Sequence, residues 1–152
     1  MLIDMSLEQK IMNDIKSAMI AKDVLKLEVL RAIKSEILLL KTNKDSIVLT
    51  EEKEIVLLQK LLKQRGEAQM IYQEQGRNDL AEHEKNQSQV ISSYLPIPYT
   101  MQEIEVLVDS VIKELDAVSK QDMGRVMSVV VQRAKGRADG RTLSNCIKGK
   151  LN

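Results

Sequence analysis

Arg125, Arg133, Lys135, Arg137, Arg141, Lys148 and Lys150 crowd the stretch from Asp122 to the C-terminus, against two carboxylates, Asp122 and Asp139. That segment carries +5 in a chain whose formal net charge is +1, so residues 1–121 carry −4. Cations gathered at one end of a nearly neutral chain point to a polyanionic partner for that end. They are densest in Lys135-Gly-Arg-Ala-Asp-Gly-Arg141. There Gly136 can close one helix in the left-handed region, and Asp139 can cap the next, with Gly140 behind it. Capping accounts for the glycines and the aspartate. It does not account for Lys135, Arg137 and Arg141 in one turn. Cations around a helix N-terminus, where free N–H groups point outward, suit phosphate. A solvated loop and an acidic protein surface are the other readings of the same residues.

The chemistry expected of this end is charge recognition without base reading. The chain has no Phe or Trp and only three Tyr, so it offers no aromatic platform for stacking single-stranded bases. A folded RNA such as tRNA, gripped through its phosphates, is the expected partner, and DNA is not. Gly124 stands within the helical pattern of Met123-Gly-Arg-Val-Met127, where glycine costs about 1 kcal/mol relative to alanine. Its first reading is close approach of another backbone, its second a ligand on that face. Catalysis and metal binding have little to work with. His83 is the one histidine and Cys146 the one cysteine. They read as a surface side chain and a small core side chain. No P-loop, dinucleotide fingerprint or nucleophile elbow occurs. No catalytic residue, metal ligand or cofactor is assigned.

The elements that must position these cations are helices. Apolar residues make up 43% of the chain, aromatics 2%, and there are two prolines and six glycines. A core of Leu, Ile, Val and Met with few breakers predicts an all-α fold. Ser6 and Gln9 form a capping box for a first helix with the stripe Leu7, Ile11, Ile15, Ala18 and Met19. Asp23 caps a second with Leu27, Leu30, Ile33, Ile37 and Leu40, which fades in the polar Thr42–Ser46. Thr50 opens a third, with Ile55, Leu58, Leu61 and Leu62 inward, ending near Gly76. Asn78 or Asp79 caps a fourth, polar through residues 82–89 and apolar only at Val90, Ile91, Tyr94 and Leu95. The Glu–Lys pairs of the third and fourth helices read as solvated faces. Met5 is a second possible start, which would make residues 1–4 dispensable.

Leu95-Pro-Ile-Pro98 is the clearest boundary, because each proline drives its predecessor out of the helical region. The expected domains are an N-terminal helical domain of about four helices, 1–95, and a C-terminal three-helix bundle, 99–152. The second opens on the capping box Thr100–Glu103 with the stripe Ile104, Leu107, Val108, Val111, Ile112 and Leu115. Ser119 precedes a helix with Met123, Val126, Met127, Val130 and Val131, and Asp139 caps a last one with Leu143, Ile147 and Leu151. No apolar run approaches a membrane span of roughly 20 residues. No signal-peptide pattern opens the chain, and a reducing, cytoplasmic setting is expected.

Gly76-Arg-Asn-Asp-Leu-Ala81 with Glu84, Tyr94-Leu-Pro96, Asp122-Met-Gly-Arg-Val-Met127 and Lys135-Gly-Arg-Ala-Asp-Gly140 occur in this order. The ordered set resembles the GatB/YqeY family across essentially the whole chain, and its length is similar to the free-standing YqeY-like members. The resemblance implies an N-terminal helical domain and a C-terminal three-helix domain. The latter is similar to the tail with which the B subunit of the glutamine-dependent aminoacyl-tRNA amidotransferase holds tRNA. By that likeness Arg125, Lys135, Arg137 and Arg141 are candidate tRNA contacts. The amidotransferase's chemistry lies in domains this chain is too short to contain. Three functions follow: a non-catalytic tRNA-binding accessory protein, a protein–protein adaptor using the basic loop, and an amidotransferase-associated enzyme using glutamine. In the first, the acidic N-terminal helices would dock a protein partner.

Overall fold

The computed structural model describes residues 6–43 and 48–151. The proposed start at Met5 and most of the polar Thr42–Ser46 stretch lie outside them. The described residues form seven α-helices and one short 3-10 turn, with no strand, so the fold is all-α. Contacts divide the chain into two units between Leu95 and Pro96.

In the N-terminal unit α1 (Leu7–Ala21) starts at Ser6, whose hydroxyl accepts from the Gln9 amide while the Gln9 side chain accepts from the Ser6 N–H. Both halves of the capping box are thus made. Lys22 ends it in the left-handed region, φ 55°. Asp23 caps α2 (Val24–Thr42) and Thr50 caps α3 (Glu51–Glu74), which carries Glu51, Glu52 and Glu54 in its first turn. α4 (Asn78–Ser92) begins a residue or two earlier than Asn78 or Asp79 as cap would allow. Gly76 at φ 72° folds the end of α3 back, and the Arg77 N–H donates to the Tyr72 carbonyl at 2.8 Å. Arg77 becomes the N-cap with no side-chain cap bond, and Asp79 joins the first turn.

Ile11, Leu30, Ile33, Ile37, Leu58 and Ile91 are fully buried in this unit's core. The periodicity reading misplaced some side chains. Met19 is 54% exposed, and Val29 and Leu57 take core places the stripes had not assigned. The larger correction lies on α4. Its polar stretch is not a solvated face, because Ala81, Glu84, Gln87 and Ile91 are all buried along one side. Tyr94, at the end of α4, donates its hydroxyl to the Asp14 carboxylate of α1. Burial, and then that carboxylate, hold its phenol above the ordinary value.

The C-terminal unit packs α5 (Met101–Glu114), α6 (Met123–Ala134) and α7 (Gly140–Lys150) around Val108, Val111, Val126, Val130, Leu143 and Ile147. Thr100 and Glu103 close the capping box of α5. Val131 is 47% exposed, and Ala134 takes the inward position at the end of α6. Gly124 departs from expectation. A Cβ added there meets nothing within 4 Å, so no backbone comes close. The 3-10 turn Lys120–Asp122 delays the helix to Met123, which makes Gly124 the exposed second residue of a first turn, not a mid-helix one.

Candidate nucleic-acid interface

Four of the seven cations are engaged inside the C-terminal unit. Arg133 grips Glu114 as a fork, with N–O distances of 2.6 and 2.8 Å between α6 and α5. That pairing holds the Glu114 carboxyl below its ordinary range. Arg125 reaches Asp122 at 3.0 Å and the Leu115 carbonyl at 3.2 Å. Asp122 in turn accepts from the Val118 and Ser119 amides, which, ahead of Arg125, lower its carboxyl. Lys150 reaches Asp109 on α5 at 3.0 Å, and Lys150 is raised by it. Arg137 is bound tightest. Its Nε donates to the Ile97 carbonyl at 2.8 Å, its guanidinium lies 3.9 Å over the Tyr99 ring, and its own carbonyl accepts from the Tyr99 N–H at 2.7 Å. It fastens the segment before α5 to the α6–α7 loop.

Lys135, Arg141 and Lys148 are exposed, and among the described residues none of them pairs with a carboxylate within 4 Å. Lys135 is the C-cap of α6, left-handed at φ 48°, with Gly136 following at φ 78°. Two consecutive left-handed residues turn the chain sharply into α7 and leave the Lys135 side chain free of the helix. On α7, Arg141, Asn145 and Lys148 recur at i, i+4 and i+7, one exposed stripe about 10 Å long. Leu143, Ile147 and Leu151 hold the opposite side in the core.

Asp139 caps α7, accepting from the Thr142 N–H at 2.6 Å. That bond, first among its causes, holds its carboxyl below the ordinary value. An ionised cap sits at the same end as the open amides of Gly140 and Arg141, and repels an anion placed there. The terminus of α7 is therefore less favourable to an anion than its exposed stripe, a distinction the loop sequence alone did not make. Asp139→Ala is expected to cost about 1 kcal/mol of the stability of this unit, read by chemical denaturation. Asp139, Asp122 and Glu114 all have lowered carboxyls, so each stabilises the fold above its unfolded value and loses that contribution as pH falls through its folded one. A melting curve followed downward from pH 5 should therefore fall below the ordinary values of 3.8 and 4.5, and fall less steeply in Asp139→Ala.

Gly136 serves the turn as expected, and Gly140 opens α7 with an added Cβ in ordinary contact with Met127 at 4.0 Å. Cys146 is half-buried and its thiol is pushed up by that burial, against a smaller opposing pull from Lys150. A thiol held in its protonated form is a poor nucleophile. Among the described residues no three potential ligand side chains gather into a metal set. No described helix is long and apolar enough to cross a membrane.

Two helical units, the second a three-helix core bearing a cationic edge, define the class. The chain matches the family described as Yqey-like protein over residues 8–151, and it belongs to that family. It is similar to altered inheritance of mitochondria protein 41, mitochondrial, of Clavispora lusitaniae (strain ATCC 42720), with 36% identity over 102 residues. The match covers 66% of this chain and 55% of that protein, so the chain spans about half the length of its relative.

Proposed function

We propose that the protein is a non-catalytic tRNA-binding accessory protein that holds folded RNA by its phosphates along α7. The observation that carries this reading is the division of the cations. Arg125, Arg133, Arg137 and Lys150 are engaged by partners within the unit, whereas Arg141 and Lys148 share the exposed stripe of α7 and Lys135 is exposed at the end of α6, with no carboxylate within 4 Å of any of the three among the described residues. Exposed cations at helical spacing, with a polar Asn145 between two of them, suit a polyanion of regular backbone. The interface is smaller than the seven candidates, and Arg137 supports it by shaping the loop. The test is binding to bulk tRNA at two salt concentrations, beside Lys135→Glu/Arg141→Glu/Lys148→Glu.

A protein partner for the N-terminal helices, apart from the adaptor role of the basic loop, is favoured by a different observation. Met19, Ile20 and Val24 stand 54%, 84% and 75% exposed around the turn from α1 to α2. Apolar side chains clustered at one corner suit a protein partner for the N-terminal unit. A partner captured after RNase treatment, and lost in Ile20→Glu, would assign that surface to it. Amide transfer from glutamine ranks last, since the one thiol is held protonated. Action in the cytoplasm completes the proposal.

A further inference from the structure

Beside the cationic stripe runs a groove between α5 and α7, about 420 Å³, lined by Met101, Glu105, Thr142, Asn145, Cys146 and Gly149. On α7 the order around the helix is fixed by its pitch. Arg141 and Lys148 mark the outer edge, Asn145 follows, Thr142 and Gly149 come next on the groove wall, and Cys146 lies deeper. The groove is therefore the continuation, toward α5, of the surface on which the phosphate contact is proposed. Gly149 borders open space on this wall, since a Cβ added there would meet nothing within 4 Å. The far end is closed by Lys150, tied to Asp109 at 3.0 Å.

We infer that this groove receives one unpaired nucleobase of the bound RNA, and prefers a base carrying an exocyclic amino group to uracil. The inference rests on the phosphate-binding reading of α7. A nucleotide whose phosphate lies on Arg141 or Lys148 has its base within reach of Asn145 and Thr142, which share that helix. The polar groups there are unlike those of a phosphate site. Glu105 is an exposed carboxylate on the opposite wall, in no ion pair within 4 Å among the described residues, though near enough to Lys150 to contribute, after Asp109, to raising it. A carboxylate repels phosphate and accepts from the amino hydrogens of adenine, cytosine or guanine. Asn145 offers both a donor and an acceptor to a base edge, and Thr142 a hydroxyl. Met101, 57% exposed, and Cys146 present sulfur to the flat of a ring, so apolar contact is available without an aromatic platform. The size of the groove falls within the range of small-ligand sites, roughly 300–1,000 Å³.

The test compares a blunt RNA duplex with the same duplex closed into a hairpin by an adenosine loop or by a uridine loop. The full-length protein is expected to bind the adenosine hairpin roughly tenfold more tightly than the duplex, the factor carried by one or two hydrogen bonds, and the uridine hairpin less well than the adenosine one. Gly149→Leu fills the groove at an exposed helical position without touching a cation. It should abolish the preference and leave duplex affinity unchanged. Alkylation of Cys146 should be slowed by the adenosine hairpin and not by the duplex. Equal affinity of the native chain for hairpin and duplex, or a loop preference that survives Gly149→Leu, overturns the groove. Arg141→Glu/Lys148→Glu separates the two readings. If that variant weakens binding to every RNA while Gly149→Leu does nothing, the phosphate contact stands and the groove falls. If it weakens none, the phosphate reading itself is wrong.

Discussion

Reversing Lys135, Arg141 and Lys148 to glutamate together is expected to abolish salt-sensitive binding of tRNA. Three phosphate contacts on a duplex-like RNA give a slope of log affinity on log salt of roughly −2.7, so raising salt fourfold should weaken the native protein about fortyfold. Each single reversal should flatten that slope by about one contact and weaken all tRNA species alike, because phosphates carry no sequence. Arg137→Gln supplies the contrast. Its guanidinium is committed to the Ile97 carbonyl and the Tyr99 ring, so its loss should lower the melting temperature of the C-terminal unit and leave the salt slope nearly unchanged. A slope that is flat in the native protein would remove the RNA reading. A slope reduced by Arg137→Gln as much as by Arg141→Gln would return Arg137 to the interface.

That contrast shows how far the site was legible in the sequence. Charge counting found the cationic end because composition is additive along the chain. It could not divide the cations, because the division depends on which carboxylates α5 brings alongside. Glu114 lies 19 residues from Arg133, and Asp109 lies 41 from Lys150. Neither separation leaves a local signal. Arg137 was grouped with Arg141 by proximity in sequence, yet its partner carbonyl, Ile97, is 40 residues away. The α7 stripe was within reach, since Arg141 and Lys148 are a heptad apart on a helix whose core side was already assigned. The groove wall on α5 was not.

The helices were more legible than their faces. Ser6, Asp23, Thr50, Thr100 and Asp139 each cap the helix expected of them, because capping is a contact between residues three apart and is written in adjacent letters. The misplacement of Gly124 came from the helix starting late, after a 3-10 turn that has no strong sequence signature. The family motif included Glu84 without showing where that residue sits. Periodicity scores only apolar residues, and α4 buries polar ones.

The strongest stability effect is expected from that buried polar face. Glu84 has a side chain only 11% exposed, and its counter-ion is Arg65 of α3, whose Nη1 stands 3.6 Å from the carboxylate. Beside it Gln87, 1% exposed, has its amide 3.0 Å from His83 Nε2, and His83 faces Glu28 of α2 at 3.5 Å. Glu84 Oε2, Gln87 Oε1 and Ser88 Oγ have no hydrogen-bonding partner among the described residues. Removing Arg65 therefore leaves a nearly buried carboxylate with no compensating charge. Arg65→Met should cost about 2 to 3 kcal/mol, below the roughly 3–5 kcal/mol of breaking a fully buried pair, since Arg65 itself is 30% exposed. For a unit of this size that lowers the melting temperature by roughly 10 °C. Glu84→Met added to Arg65→Met should restore most of the loss, because the charge and its partner then disappear together. Arg65→Met/Glu84→Met/Gln87→Leu/Ser88→Ala should leave the unit at least as stable as the native chain, since charge and counter-charge are gone together and the face is then apolar like the rest of the core. A double-mutant cycle that returns no coupling between Arg65 and Glu84 would show that the pair is solvated in solution, and the burial of α4's polar face would have to be redrawn.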